Sequence, residues 1–155
     1  MQQAQTKTES SDLEMVAFRT ASQDFCIDIM SVREIRGWVP ATVLPHAPHY
    51  IRGVINLRGT IVPIFDLSAR LGLGTLPSND RNVIIIANID SQTIGLLVEA
   101  VSDILAVASD TIQPVPEIAE AQTNAFIKGV IPGEASMVRL IDIQNVMSEI
   151  PVPAQ

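Results

Sequence analysis

Cysteine occurs once in the 155 residues, at Cys26. An intramolecular disulfide is thereby excluded. In the apolar run Phe25-Cys26-Ile27 the thiol is expected to act as a small core residue. Histidine occurs twice, as His46 and His49 in PHAPHY. The flanking prolines disfavour a helix that would bring both to one face, and no cysteine accompanies them, so no metal site is expected. Aromatic residues are 4% of the chain, which leaves Ile, Val and Leu to build the core. Charged residues are 17% and the formal net charge is −7. Phosphate affinity needs clustered Lys and Arg, so nucleic acid and anionic membrane surfaces are excluded as partners. No apolar stretch reaches the roughly 18 residues of a membrane span. Residues 1–12, MQQAQTKTESSD, lack the apolar segment of a secretion signal. A cytoplasmic protein with a disordered tail over 1–12 is expected.

What the chain does contain is nearly the same sentence twice. Tyr50–Leu71 reads YIRGVINLRGTIVPIFDLSARL, and Phe126–Met147 reads FIKGVIPGEASMVRLIDIQNVM. At an offset of 76, Ile51, Gly53, Val54, Ile55, Val62 and Asp66 recur as Ile127, Gly129, Val130, Ile131, Val138 and Asp142, and Arg52 as Lys128. A weaker match precedes it at an offset of 69. It sets Val32 on Val101, Ile35 on Ile104, Thr42 on Thr111 and Pro45 on Pro114. Two related halves, about 15–71 and 84–147, are joined by a link over 72–83. Such internal similarity constrains the fold before any single residue does.

Each half opens on a hairpin pattern. Glu14–Thr20 and Phe25–Ile29 flank a turn at Ala21–Asp24, and Asn82–Ile89 and Thr93–Val98 flank one at Asp90–Gln92. Ser31–Ile35 and Ala100–Ile104 read equally as helical turns or strand starts. Proline-punctuated loops follow. The strongest unit is the hairpin Ile51–Leu57, Arg58-Gly59, Ile61–Leu67, in which Gly59 suits a turn with positive φ. Asp66–Leu71 is expected to close with one helical turn, and Asp142–Glu149 to form a longer C-terminal helix stopped by Pro151. Four or five short strands per half, with frequent turn signals, indicate small antiparallel barrels. A barrel of about 60 residues is marginal alone, so the two are expected to share apolar surface.

Little here suggests catalysis. Gly72-Leu73-Gly74 lacks the Gly-Lys-Ser/Thr of a phosphate loop. Cys26 has no indicated His partner. Asp66 and Asp142 invite a paired-acid reading, but both stand where a strand enters a helical turn, and capping accounts for them. The asymmetries between halves are more informative. Arg58 at a hairpin tip, with five donors, stands opposite Glu134 in the second half, and Arg33-Glu34 opposite Ser102-Asp103. If Glu34 and Arg58 meet, they form an ion pair on one barrel only.

VREI at Val32–Ile35, PHAPHYIRGVINLRGTIVPIFDLSARLGL at Pro45–Leu73, VIIIANIDSQTIGLLVEAVSDIL at Val83–Leu105, and FIKGVI with VRLIDIQNVM resemble the CheW family of chemotaxis coupling proteins. The resemblance runs from about Leu13 to Glu149. It implies an all-β domain over 13–150 with short helices: two intertwined five-stranded SH3-like barrels sharing a hydrophobic core, a short C-terminal helix, and a tail at 151–155. It also implies a non-catalytic adaptor without cofactors, monomeric alone and part of receptor arrays. Its implied partners are the cytoplasmic tips of methyl-accepting chemoreceptors and the regulatory domain of the histidine kinase CheA. That module also occurs within CheA and CheV; with no fused kinase or receiver domain in this chain, a stand-alone adaptor is expected. In the family the receptor contact lies in the groove between barrels. By motif this gives Val32, Glu34, Arg58, Val83, Gly95 and Ile104, with the kinase at a barrel end. The competing expectation is a small β-barrel that binds a ligand or signal in a related non-chemotactic pathway.

Overall fold

The computed structural model describes residues 12–116, 124–133 and 136–147. Among them are ten strands: β1 (Asp12–Thr20), β2 (Gln23–Asp28), β3 (Val32–Gly37), β4 (Ile51–Leu57), β5 (Thr60–Asp66), β6 (Val83–Ile89), β7 (Gln92–Val98), β8 (Ala100–Ala108), β9 (Ile127–Pro132) and β10 (Met137–Ile141). Two short helices, α1 (Leu67–Arg70) and α2 (Ile143–Met147), follow β5 and β10. The tail before Asp12, the residues after Met147 and Glu134 lie outside the described residues.

The opening turns are tighter than the sequence suggests. Ala21-Ser22 and Asp90-Ser91 are two-residue connections with φ of 51° and 60°, and of 49° and 71°. Positive φ at both positions matches the twist of the flanking strands, so Gln23 and Gln92 already belong to β2 and β7. Arg58-Gly59 has the same form, with φ of 52° and 87°, and Gly59 N donates to Asn56 Oδ1 at 2.8 Å. The ambiguous Ser31–Ile35 splits. Ile29–Ser31 is a single 3-10 turn, capped by Asp28, which accepts from Met30 N at 2.9 Å, and β3 begins at Val32. Its counterpart Ala100–Ile104 is wholly strand.

The sheet orders are β8-β1-β2-β10-β9 and β3-β6-β7-β5-β4. Replacing each strand by its repeat partner turns one order into the other. The halves have therefore exchanged their opening hairpins: β1-β2 joins β8–β10, and β6-β7 joins β3–β5. One parallel pairing completes each sheet, Ile64 beside Gly95 and Leu140 beside Cys26. Isolated bridges from Thr42 to Val54 and from Gln113 to Val130 bring each sheet towards closure as a barrel. These bridges correct one detail of the repeat. Thr42 corresponds to Gln113, not Thr111, because β8 runs two residues past Ala106, the repeat position of Gly37 where β3 ends, and delays the bridge. The irregularities repeat too. Arg33 and Ser102 are skipped in the pairing of their strands, as are Arg52 and Lys128. A bulge re-aims the side chain at the extra residue.

Three apolar clusters follow from this exchange. Met15, Cys26, Val107, Ile131 and Leu140 fill the terminal barrel; Ile55, Leu57, Val62, Ile64, Leu76, Ile84, Ile86 and Leu97 fill the middle one. The largest lies between them and draws on both: Val16, Phe18, Phe25 and Ile27 from one, and Phe65, Ile85, Ile94 and Leu96 from the other. Neither half can bury its apolar faces without the other, as the size of each barrel requires.

Both aspartates cap. Asp66 Oδ1 accepts from Ala69 N at 3.2 Å and Asp142 Oδ1 from Asn145 N at 3.3 Å. Their own amides donate to Tyr50 O at 2.7 Å and Phe126 O at 2.8 Å. Arg70 of α1 joins the halves. Its guanidinium lies 4.3 Å from the Tyr50 ring centre and 4.7 Å from that of Phe126, and its Nε donates to Val146 O of α2 at 2.8 Å.

Candidate interaction site

Among the described residues, the middle barrel carries a charge cluster that has no counterpart on the terminal barrel. On β3, Glu34 pairs opposite Ile86 and Arg36 opposite Ile84. Directly opposed residues share a face, so both charged side chains stand on the side that holds the barrel interior, at its outer strand. The β4-β5 turn brings Arg58 to them, and its guanidinium donates to Glu34 Oε2. Arg36 Nη1 stands 3.5 Å from Oε1 of the same carboxylate. The Arg58 hydrogen bond, with the charges of Arg58 and Arg36 behind it, holds the Glu34 carboxyl below its ordinary value of 4.5. Arg58 keeps 60% of its side-chain surface exposed, whereas Glu34 keeps 27% and Arg36 34%. In the second half Asp103 and Leu105 replace Glu34 and Arg36.

The other expected site residues divide. Val32, opposite Ala87, is half-buried and packs against the core between the barrels. Val83 does the same from the start of β6, opposite Gly37. Gly95 is buried. A Cβ there would stand 2.6 Å from Ile64 Cδ1 and 3.0 Å from Ile84 Cγ2. It therefore offers a partner no side chain. It lets the interior fill beneath Ile86, the residue opposite Glu34. Ile104 stands exposed on β8 of the other barrel, opposite Val16 of the shared core. Of the six, Glu34 and Arg58 are joined by a hydrogen bond.

Two residues are not among the contacts expected from the sequence. Arg36 completes the cluster; its signal was the i, i+2 spacing from Glu34 on a strand. Ile35, exposed on β3, lies opposite Ile85 of the shared core as Ile104 lies opposite Val16. Its signal was the repeat pairing of Ile35 with Ile104. Ile61 and Met137, also repeat partners, are exposed in the same way.

Residues expected to be inert have ordinary surroundings. Burial pushes the Cys26 thiol up to about 12, which makes it a poor nucleophile. His49 packs edge-on to Tyr50, ring centres 5.5 Å apart. Among the described residues no group of three or more His, Cys, Asp or Glu is placed to hold a metal ion, and no helix is long and apolar enough to cross a membrane. A cavity of about 300 Å³ lies under the Trp38–Val43 strap, but Arg52 on its wall is committed to Asp66, Leu76 O and Ser78.

Two small barrels with exchanged hairpins, with an ion-pair cluster on the outer strand of one and an exposed isoleucine on the outer strand of each, form a duplicated-barrel scaffold. The chain belongs to the CheW family: the CheW-like domain matches residues 14–150. It is 48% identical over 149 residues to a probable chemotaxis protein CheW of Rhizobium etli, covering 96% of both chains. It is 52% identical over 133 residues to the chemotaxis protein CheW of Rhizobium meliloti, covering 86% of both. The scaffolding protein TtCheW from Thermoanaerobacter tengcongensis superposes with a TM-score of 0.81 at 31% identity, over 89% of each chain. The protein is a non-catalytic scaffold of the chemotaxis type.

Proposed function

We propose that this chain couples the cytoplasmic tips of methyl-accepting chemoreceptors to the histidine kinase CheA, in the cytoplasm and within receptor arrays. The receptor tip, a helical hairpin, lies in the groove between the barrels, a helix-in-groove mode of recognition. Arg58 and Glu34 set its register. Val32, Val83 and Ile104 supply apolar contact or support, and Gly95 keeps the sheet beneath Glu34 packed. The CheA regulatory domain docks at a barrel end.

The observation that carries this reading is the exposed Arg58 guanidinium, held by Glu34 on the middle barrel. Its repeat counterparts bear other residues, so the fold does not require the pair. Exposed Ile35 and Ile104 add apolar surface. A ligand-binding barrel is the weaker reading, because a bound small molecule needs convergent polar groups that are free to meet it.

The test is calorimetric titration of the full chain with a receptor-tip fragment and, separately, with the CheA regulatory domain. Binding of both, each without displacing the other, is expected. Binding of neither, with a small metabolite retained by the purified protein, would reverse the choice.

A further inference from the structure

We propose that Arg36 is a positioning residue for partner binding: it keeps Glu34 compensated when Arg58 leaves that carboxylate to donate to an acidic side chain on the partner. The inference rests on the groove reading above and deepens it by naming the chemistry of the contacted group.

Glu34 has one guanidinium for each oxygen, and the two differ. Arg58 sits on a two-residue turn with most of its side chain in solvent. It is free to swing outward. Arg36 rises from β3 one residue before its end, paired opposite Ile84, is two-thirds covered, and has a buried Nε without a hydrogen-bond partner. It cannot follow Arg58 out. Its Nη1 is 3.5 Å from Glu34 Oε1, beyond the usual hydrogen-bond range. Once Arg58 departs, the free carboxylate draws Arg36 in. Without Arg36, Arg58 could leave only by stranding a half-buried carboxylate, and that penalty would be charged to the complex. The cluster of two arginines and one glutamate is net positive on a chain of net charge −7. The side chain that complements it is a carboxylate. Leu105 at the repeat position of Arg36 shows that the strand itself does not need a cation there.

The test is a set of binding cycles with the receptor-tip fragment at fixed salt. It compares Arg36→Met in three backgrounds: wild type, Arg58→Ala and Glu34→Gln. Arg36→Met is expected to weaken binding about five-fold in the wild type and less than about two-fold in the other two, because neither then releases Arg58 from a charged Glu34. Equal losses in all three would overturn the proposal, since they would mark a direct contact or a folding defect. No loss in the wild type would overturn it as well. The two readings fail separately. If Arg58→Ala alone binds normally, the groove reading falls; if Arg58→Ala is weak but Arg36→Met is neutral, only the role of Arg36 falls.

Discussion

The middle barrel and the terminal barrel share strand order, parallel pairing, bulges and capping aspartates, yet differ at the positions that meet something outside the repeat. Asp66 and Asp142 both cap a helix. Asp66 does more: its second oxygen accepts from Leu76 N at 2.9 Å and lies 3.4 Å from Arg52 Nε. Arg52, at its bulge, also donates to Leu76 O and to Ser78 Oγ. The link between the halves is thus pinned to the middle barrel, with Leu76 in its interior. Lys128, at the matching bulge, is exposed. At the parallel seam the middle barrel has Gly95 under Ile64 and Ile84, where the terminal barrel fits Cys26 beside Leu140 and Met15. Shared residues hold each barrel together; the unshared Arg52 joins the shared Asp66 in holding the link, and the unshared Glu34, Arg36 and Arg58 form the charged rim. Duplication separates packing from function within one chain.

The comparison breaks hardest at the glycines. Gly53 has a φ of 145°, and a Cβ there would lie 2.3 Å from Thr42 O, a backbone atom that the closing bridge fixes. Gly53→Ala should cost about 3 kcal/mol or more. At Gly129 the obstacle is the Ile112 side chain at 2.5 Å, which can turn aside, so Gly129→Ala should cost about 1–2 kcal/mol. Urea unfolding of both variants checks the order, and equal losses would erase the distinction.

The aspartates come next. Asp66→Ala strands Arg52 and frees the link, and should cost about 3 kcal/mol. Asp142→Ala removes a cap alone and should cost about 1 kcal/mol. Thermal melts of the two variants suffice to compare them.

The smallest effect is in Glu34. Its carboxyl is held below the ordinary value chiefly by Arg58. Stability from such a group is complete above the unfolded-state pKa and is lost as pH falls through the lowered folded-state value. The stability difference between wild type and Glu34→Gln should be constant above about pH 5 and shrink in more acid solution. A difference that instead grows in acid would mean that Glu34 is not held by its arginines.

Much of this was legible beforehand because it is written locally. Strand Ile51–Leu57 begins and ends where expected, since alternation and an Arg-Gly turn fix it; its partner is Thr60–Asp66, one residue earlier than the expected Ile61–Leu67, because Leu67 enters the helix that Asp66 caps. The capping aspartates were readable because capping needs only the chain on either side. The hairpin exchange was not readable, because either half offers the same apolar faces and only three-dimensional closure decides between them. The slip from Thr111 to Gln113 escaped because proline-rich loops carry no periodicity. At the site, Arg58 and Glu34 stood out as departures from the repeat. Arg36 departs from the repeat as well, at Leu105, but its importance depends on sharing a carboxylate with a residue 22 positions away.

The claim at the centre is that Arg58 reaches out to a partner. The measurement is the affinity of a receptor-tip fragment for Arg58→Ala beside Lys128→Ala, which removes one exposed positive charge from the other barrel. A lost charged hydrogen bond is worth roughly 1.5–3 kcal/mol, so Arg58→Ala should bind about ten-fold or more weakly, with only the small drop in melting temperature that loss of a partly exposed ion pair brings. Lys128→Ala should stay within about two-fold of wild type. Equal affinities for the two variants, or a loss in Arg58→Ala that tracks unfolding, would contradict the account.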